Sequence, residues 1–148
     1  MSTYHNKDIT SLRILLIEDN TDYAFSLIQG MSRYCLIDHA STEAEGLRML
    51  YTESYDILLL DLTLDTGYMS GFRFLDYLAR LERFNNLLVI GLSGMSLDDI
   101  YGDKSYGKLA AFLTKPVAAE RLIQTIESCL LSRNETAHDE TEAVVDPE

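Results

Sequence analysis

The chain has 148 residues, of which 47% are hydrophobic and 24% are charged, and its formal net charge at pH 7 is −12. This length and composition are typical of a single soluble domain with a buried core. The negative charge disfavours direct binding to nucleic acid or to a membrane of anionic lipid, so a protein partner or a small ligand is expected instead.

The first predicted elements are two strands that alternate with two helices. Leu12–Ile17 is a nearly continuous apolar run, as expected for a strand buried on both faces of a parallel sheet. Helical apolar periodicity follows, with Asn20 in the N-cap position. The short apolar segment 35–37 predicts a second strand. Thr42 and Glu45 then have the spacing of a capping box, which predicts the start of a second helix.

Two further strands are predicted in the middle of the chain. Asp56–Asp61 is a third buried strand, and a glycine-containing loop leads from it to a third amphipathic helix. Leu87–Leu92 is the fourth strand. The stretch that continues to residue 110 is only weakly helical, because Gly102 and Gly107 each cost roughly 1 kcal/mol of helix stability.

A fifth strand and a last helix complete the pattern. Ala111–Thr114 is a short strand that ends at Lys115-Pro116, and an amphipathic helix follows it. Beyond residue 131 six acidic residues accompany one basic residue without apolar periodicity, which predicts a disordered acidic tail over 132–148. We therefore expect a flexible N-terminus over 1–11 and one folded domain over 12–131.

Five alternating strands and helices predict an α/β fold with a doubly wound parallel sheet and right-handed crossovers. Ligands of such sheets bind at the carboxyl ends of the strands. Polar residues follow or end four of the predicted strands: Glu18 and Asp19 after the first, Asp61 in the third, Ser93 after the fourth and Lys115 after the fifth. The sequence therefore places its chemistry at one edge of the sheet.

These residue types indicate phosphoryl transfer. Converging carboxylates repel one another, so a cation is expected beside them, and hard oxygen ligands favour magnesium (Mg2+) over zinc. A carboxylate can form an acyl phosphate, while a cation, a hydroxyl and a lysine position and neutralise the transferred group.

The ordered set of residues resembles the response-regulator receiver family over about residues 12 to 131. The matching landmarks are the pair Glu18-Asp19, the strand-terminal Asp61, Ser93 followed by Gly94, the dipeptide Lys115-Pro116, and Phe112 three residues before the lysine. The resemblance implies a flavodoxin-like (βα)5 fold with strand order 2-1-3-4-5, similar to single-domain chemotaxis regulators.

The resemblance also implies a role for each site residue. Asp61 is the expected phosphoacceptor, and Mg2+ is expected on Glu18, Asp19, Asp61 and the backbone carbonyl of Thr63. Ser93 and Lys115 are expected to contact the phosphoryl oxygens, and Phe112 is expected to be a rotamer switch that repacks the face made by the fourth helix, fifth strand and fifth helix.

The family function implied is that of a phosphoacceptor switch in two-component signalling rather than an enzyme with turnover. The phosphoryl donor is expected to be a sensor histidine kinase or a phosphotransfer protein, and the output is expected to be a changed interaction with an unidentified downstream protein. The segment after Leu131 is too short and polar for a DNA-binding or enzymatic module, so we expect a single-domain regulator.

One loop departs from the family pattern. Asp65 stands where family members usually have proline, and Gly71 lies ten residues after Asp61 instead of about eight. The loop Leu62–Ser70 is therefore about two residues longer than usual, which leaves the geometry of the Thr63 carbonyl open.

Three other interpretations remain. A receiver fold that has lost switching would act as a phosphorylation-independent scaffold. A phosphohydrolase of the haloacid-dehalogenase kind also uses an aspartyl nucleophile and magnesium, but its nucleophile ends the first strand and is followed two residues later by aspartate. Here Thr63 follows Asp61 at that spacing. A flavodoxin would need a hydroxyl- and glycine-rich phosphate loop after the first strand, where this chain has acidic residues.

The lengths of the apolar segments indicate the cellular compartment. The longest of them are far shorter than the roughly 20 residues of a membrane-spanning helix, and the first ten residues lack the apolar run of a signal peptide. We therefore expect a cytoplasmic protein. Cys35 and Cys129 are too few for a disulfide framework or a zinc site and are expected to be reduced thiols.

Overall fold

The computed structural model of the chain describes residues 9–63, 70–94 and 108–145. Strands and helices alternate along these residues, except that the fourth and fifth strands are separated by residues 95–107, which the structure does not describe. They are β1 (Arg13–Ile17), α1 (Thr21–Met31), β2 (Leu36–Ala40), α2 (Glu43–Thr52), β3 (Ile57–Asp61), α3 (Ser70–Ala79), β4 (Leu88–Ser93), β5 (Ala111–Thr114) and α4 (Ala119–Val145), with 3-10 turns at Ile9–Ser11 and Glu82–Phe84.

The five strands form one sheet in the order β2-β1-β3-β4-β5, and each neighbouring pair is parallel. This confirms the predicted fold class and strand order. Because all five strands run in the same direction, their carboxyl ends lie along a single edge of the sheet.

Both faces of the sheet are covered, because successive side chains of a strand point to opposite sides. In β1, Ile14 and Leu16 pack in one apolar cluster with α1 and the C-terminal helix α4, while Leu15 and Ile17 pack in a second cluster with α2 and α3. The central strand β3 is buried at all five positions. The strands that end in the predicted site residues are therefore packed between two apolar layers.

Both predicted helix caps are present. The side chain of Asn20 accepts a hydrogen bond from the backbone N–H of Tyr23 at 3.0 Å, which caps α1. Thr42 Oγ1 accepts from the N–H of Glu45 at 3.1 Å, and Glu45 Oε1 in turn accepts from the N–H of Ser41 at 3.0 Å. These two hydrogen bonds form a capping box, except that the glutamate side chain accepts from the residue before the N-cap and not from the N-cap residue itself.

Two elements differ from the sequence expectation. The second strand is Leu36–Ala40 rather than 35–37, because β2 is an edge strand that carries polar residues and gives only a short apolar signal. The C-terminal helix continues to Val145, into the segment that composition predicts to be a disordered tail. Extending an existing helix adds one hydrogen bond per residue without a new nucleation cost.

Several sequence predictions concern residues outside the described ranges. They are the weak helix between β4 and β5, the inserted part of the loop after Asp61 with Asp65, and the N-terminal residues 1–8. No helix in the described part of the chain has the length and apolarity needed to cross a membrane. Cys35 is buried and Cys129 is partly buried, both as free thiols.

Candidate functional site

Burial singles out one place in the molecule. Within residues 9–63, 71–94 and 108–133, the buried polar or charged residues are Glu18, Asp61 and Ser93, with exposed fractions of 0%, 1% and 0%. All three lie at the carboxyl edge of the sheet. Because polar and charged side chains are costly to bury, three such residues at one edge indicate a site with a chemical task.

The carboxylate cluster follows directly from strand register. Ile17 of β1 is paired with Leu60 of β3, so Glu18 and Asp61 are the next residues of two neighbouring strands. Asp19 joins them, and one carboxylate oxygen from each of the three residues lies within 4.8 Å of the others. The sequence prediction that these three carboxylates converge is therefore met by the geometry.

Lys115 reaches into this cluster from the end of β5. Its Nζ lies 2.8 Å from Glu18 Oε1 and 3.5 Å from Asp61 Oδ2, and its side chain is 19% exposed. Burial lowers the pKa of Lys115, but the hydrogen bond to Glu18 and the charges of Asp61 and Glu18 outweigh burial, so the net pKa is raised. Lys115 is therefore held as a cation between two carboxylates.

Ser93 is joined to the same edge through the backbone. It is the last residue of β4 and follows Leu92, the register partner of Asp61. Its carbonyl accepts a hydrogen bond from the N–H of Lys115 at 2.7 Å. The residues that end β3, β4 and β5 are thus neighbours, as the sequence predicted.

The two oxygens of Asp61 have different surroundings. Oδ1 accepts hydrogen bonds from both the backbone N–H and the hydroxyl of Thr63, each at 3.0 Å. Oδ2 faces Lys115 instead. Sequence reasoning assigned only the backbone carbonyl of Thr63, so these two hydrogen bonds were missed; a hydroxyl two residues after the acid is the signal that indicates them.

Glu18 is fixed by three further contacts. Its Oε2 accepts from the N–H of Asn20 at 3.0 Å, and its own N–H donates to the carbonyl of Ala40 at 3.0 Å. His39 Nε2 lies 2.8 Å from the Glu18 carbonyl oxygen, where the ring N–H can donate. Burial raises the pKa of Glu18, the hydrogen bonds from Lys115 and Asn20 oppose this, and the net pKa is raised.

Tyr23 is a site neighbour that sequence reasoning did not identify. The Nζ of Lys115 lies 4.8 Å from the centre of the Tyr23 ring, and the Tyr23 hydroxyl accepts a hydrogen bond from the N–H of Val117 at 3.4 Å. Burial is the main cause that raises the pKa of this phenol, which therefore stays neutral.

The predicted switch residue and the family glycine are also placed. Phe112 of β5 is half-buried and packs against the cluster formed with α2 and α3. A Cβ on Gly71 would lie 2.4 Å from Leu62 Cα and 2.5 Å from the Asp61 carbonyl oxygen. The start of α3 therefore packs closely against the backbone that carries Asp61, although Gly71 lies ten residues after Asp61 in the sequence.

The donor set fits Mg2+. Carboxylate oxygens are the ligands this ion prefers, and at ligand distances of about 2.1 Å two oxygens on one ion are at most about 4.2 Å apart. The oxygens of Glu18, Asp19 and Asp61 lie within 4.8 Å of one another, so a small movement brings them onto one ion. The site thus combines a group able to hold a divalent cation with a buried carboxylate and an adjacent ammonium.

Comparisons with known proteins find one family model and many similar structures. The model described as the response regulator receiver domain matches residues 14–127. No curated protein matches the chain.

Three of the solved structures illustrate the likeness. A CheY-like receiver domain from Methylobacillus flagellatus has 20% identity and a TM-score of 0.69, with 80% of this chain and 98% of that chain covered. One from Methanospirillum hungatei has 22% identity and a TM-score of 0.71, with 84% and 98% covered. The response regulator TrrA of Thermotoga maritima, in complex with Mg2+-BeF, has 19% identity and a TM-score of 0.69, with 80% and 98% covered. At these identities the likeness establishes a shared fold.

Proposed function

Since this chain belongs to the response regulator receiver domain family, whose model matches residues 14–127, we propose that it is a phosphorylation switch with Asp61 as phosphoacceptor. One observation carries the proposal. Asp61 is a buried carboxylate with one oxygen facing a lysine at 3.5 Å and with two further carboxylates beside it.

In the proposed reaction an oxygen of Asp61 attacks the phosphorus of a phosphohistidine on a sensor histidine kinase or a phosphotransfer protein. The new O–P bond makes Asp61 an acyl phosphate, while the P–N bond breaks and the histidine nitrogen keeps the electron pair and takes up a proton. Oδ2 suits this role because Oδ1 already accepts two hydrogen bonds from Thr63.

Magnesium, when bound, supplies positive charge that offsets the charge of the transferred group. The residues proposed to hold it are Glu18, Asp19, Asp61 and the backbone carbonyl of Thr63. Mg2+ in the Thermotoga maritima relative, bound there with a beryllium fluoride group, supports the choice of ion.

Lys115 and Ser93 are proposed to contact the phosphoryl oxygens. Lys115 is a flexible point charge, and its Nζ needs little movement to transfer from Glu18 to a group attached to Asp61. A hydrogen bond between an ammonium and a phosphoryl oxygen is charge-assisted and therefore stronger than a neutral one. Formation of the acyl phosphate thus redistributes hydrogen bonds at the ends of β4 and β5.

This redistribution is the proposed signal. Movement of Ser93 toward the phosphoryl group vacates space that Phe112 enters, which changes the surface formed by the segment between β4 and β5, β5 itself and the C-terminal helix. The phosphoryl group shifts the population only by its different affinity for the two states. A downstream protein that binds the active surface therefore also favours phosphorylation.

The test is binding of beryllium fluoride, a phosphoryl mimic, followed by NMR and calorimetry in the presence and absence of Mg2+. We expect Mg2+-dependent binding that shifts the amide resonances of residues 93–115 and is abolished in Asp61→Asn. Asp56→Asn is the matched control, because it removes one charge near the opposite end of the same strand.

Either of two outcomes would contradict the proposal. Binding that persists in Asp61→Asn would remove this residue from the site, and absence of any Mg2+-dependent binding would leave a phosphorylation-independent scaffold. Repeated turnover of phosphate esters would instead favour the phosphohydrolase alternative.

A further inference from the structure

Among the described residues, three groups lie close to the ammonium of Lys115, and two of them are carboxylates. Glu18 Oε1 lies at 2.8 Å and Asp61 Oδ2 at 3.5 Å, while the centre of the Tyr23 ring lies at 4.8 Å. A cation within about 6 Å of an aromatic ring centre is attracted by the negative face of the ring, and more strongly when water is excluded. Lys115 is mostly buried, so this attraction acts in a favourable setting.

Tyr23 is held in place by three contacts. Its backbone N–H donates to the Asn20 side chain in the cap of α1. Its hydroxyl accepts from the N–H of Val117, a residue 94 positions away that follows the end of β5. Its ring packs against the apolar cluster formed with α1 and α4. The ring is therefore a fixed surface beside a flexible lysine.

We propose that Tyr23 is a positioning residue, which holds the Lys115 ammonium beside Asp61 through its ring face. This role rests on the proposed function, because it matters only if Lys115 binds a group carried by Asp61. A lysine has a four-carbon stem and rotatable donors, so a ring that restricts its head group reduces the freedom lost when a phosphoryl oxygen is bound. Tyr23 itself does not contact the transferred group.

The Lys115–Glu18 ion pair alone does not ensure this position. Once Lys115 turns to a phosphoryl oxygen, its hydrogen bond to Glu18 is weakened, so the ring contributes more to holding the ammonium in the bound state than in the free state. Loss of Tyr23 is therefore expected to weaken binding of the phosphoryl mimic more than binding of the metal.

The test compares full-length variants at saturating Mg2+ with beryllium fluoride as the probe. Tyr23→Leu removes the ring, and Tyr23→Met removes it while keeping a longer, unbranched side chain. Tyr23→Phe keeps the ring but removes the hydroxyl bond to Val117. The matched control is Phe25→Leu, which removes a ring that is 62% exposed on the same helix.

We expect beryllium fluoride affinity to fall about tenfold in Tyr23→Leu and Tyr23→Met, with Tyr23→Phe and Phe25→Leu close to the wild type. Mg2+ affinity should stay within about twofold in all four variants, since the hydrogen bond of the Tyr23 side chain goes to a backbone N–H and not to one of the proposed carboxylate ligands. A fold defect would reduce Mg2+ binding as well, so these two measurements separate positioning from structural damage.

A spectroscopic measurement tests the contact without any ligand. Protons above an aromatic face are shielded, so the Lys115 side-chain methylene next to Nζ should resonate upfield in the wild type and in Tyr23→Phe, and near its ordinary position in Tyr23→Leu. This result does not depend on phosphorylation.

Three results would overturn the inference. One is wild-type affinity for beryllium fluoride in Tyr23→Leu, and another is an equal loss in Tyr23→Phe, which would assign the effect to the hydroxyl. The third is an unshielded Lys115 in the wild type. If wild-type protein binds no beryllium fluoride at all, the proposed function itself is wrong, and the role proposed for Tyr23 is then wrong as well.

Discussion

At the scale of single residues, Lys115 compensates only part of the charge that Glu18, Asp19 and Asp61 bring together. Among the described residues, three carboxylates meet one ammonium, and every buried side-chain nitrogen and oxygen there has a hydrogen-bond partner. The local excess of negative charge is therefore electrostatic rather than a matter of missing hydrogen bonds. It is this excess that a divalent cation would relieve.

Removal of Lys115 should therefore strengthen metal binding. We expect Lys115→Met to bind Mg2+ about tenfold more tightly than the wild type, because the ammonium no longer competes for Glu18 and Asp61. Calorimetric titration with Mg2+ measures this directly. Lys108→Met is the control, since Lys108 pairs with Asp76 of α3 outside the carboxylate cluster. Unchanged or weaker Mg2+ binding in Lys115→Met would show that the lysine and the ion do not share these carboxylates.

The residues of the site were predictable because strand ends in a parallel sheet converge. Glu18, Asp61 and Lys115 each follow or end a strong apolar run, so their neighbourhood follows from topology. Contacts of Tyr23 and His39 were not predictable. Neither residue follows the end of a central strand: Tyr23 lies on a helix and His39 on the edge strand. Nothing in the sequence around either residue indicates its distant partner.

At the scale of elements, the start of α3 determines how the backbone of Asp61 is supported. The space between Gly71 and the Asp61–Leu62 backbone admits no side chain, since a Cβ there would lie 2.4–2.8 Å from three backbone atoms. The start of α3 therefore packs directly against the backbone of Asp61 and Leu62.

Substitution of this glycine should destabilise the fold. We expect Gly71→Ala to lower the free energy of unfolding by about 1–3 kcal/mol, because backbone atoms and not a flexible side chain must move. Urea unfolding measures the loss. Gly94→Ala is the control, because a Cβ on Gly94 meets no atom of the described residues within 4 Å, and it should change stability by less than about 0.5 kcal/mol. Equal stability of the two variants would contradict the close approach of α3.

Element types were predictable where burial dominates, as in β1 and β3. They were harder to predict at the margins. The edge strand β2 exposes 71% of Leu36 and carries two half-buried polar residues, so its apolar run is too short to mark its full length. For the C-terminal helix, composition indicated the residue at which the apolar periodicity ends. It did not indicate where the helical backbone ends, because an existing helix can be extended without new apolar contacts.

At the scale of the whole molecule, the fold separates support from chemistry. Two apolar clusters cover the sheet on opposite faces, and the buried polar residues of the described part of the chain lie at one edge of the sheet. Functional groups on strand ends are positioned more rigidly than groups on long loops. The 24 acidic residues against 12 basic ones add a negative field that favours partners with a basic binding surface.

The central claim is that Asp61 takes up one phosphoryl group in a magnesium-dependent reaction. The most direct test is intact-mass measurement after incubation with a small acyl-phosphate donor, with and without Mg2+, for the wild type, Asp61→Asn and the control Asp56→Asn. We predict one added group of roughly 80 Da in the wild type and in Asp56→Asn, only with Mg2+, and none in Asp61→Asn. An adduct that persists in Asp61→Asn, or no adduct in the wild type, would contradict the claim.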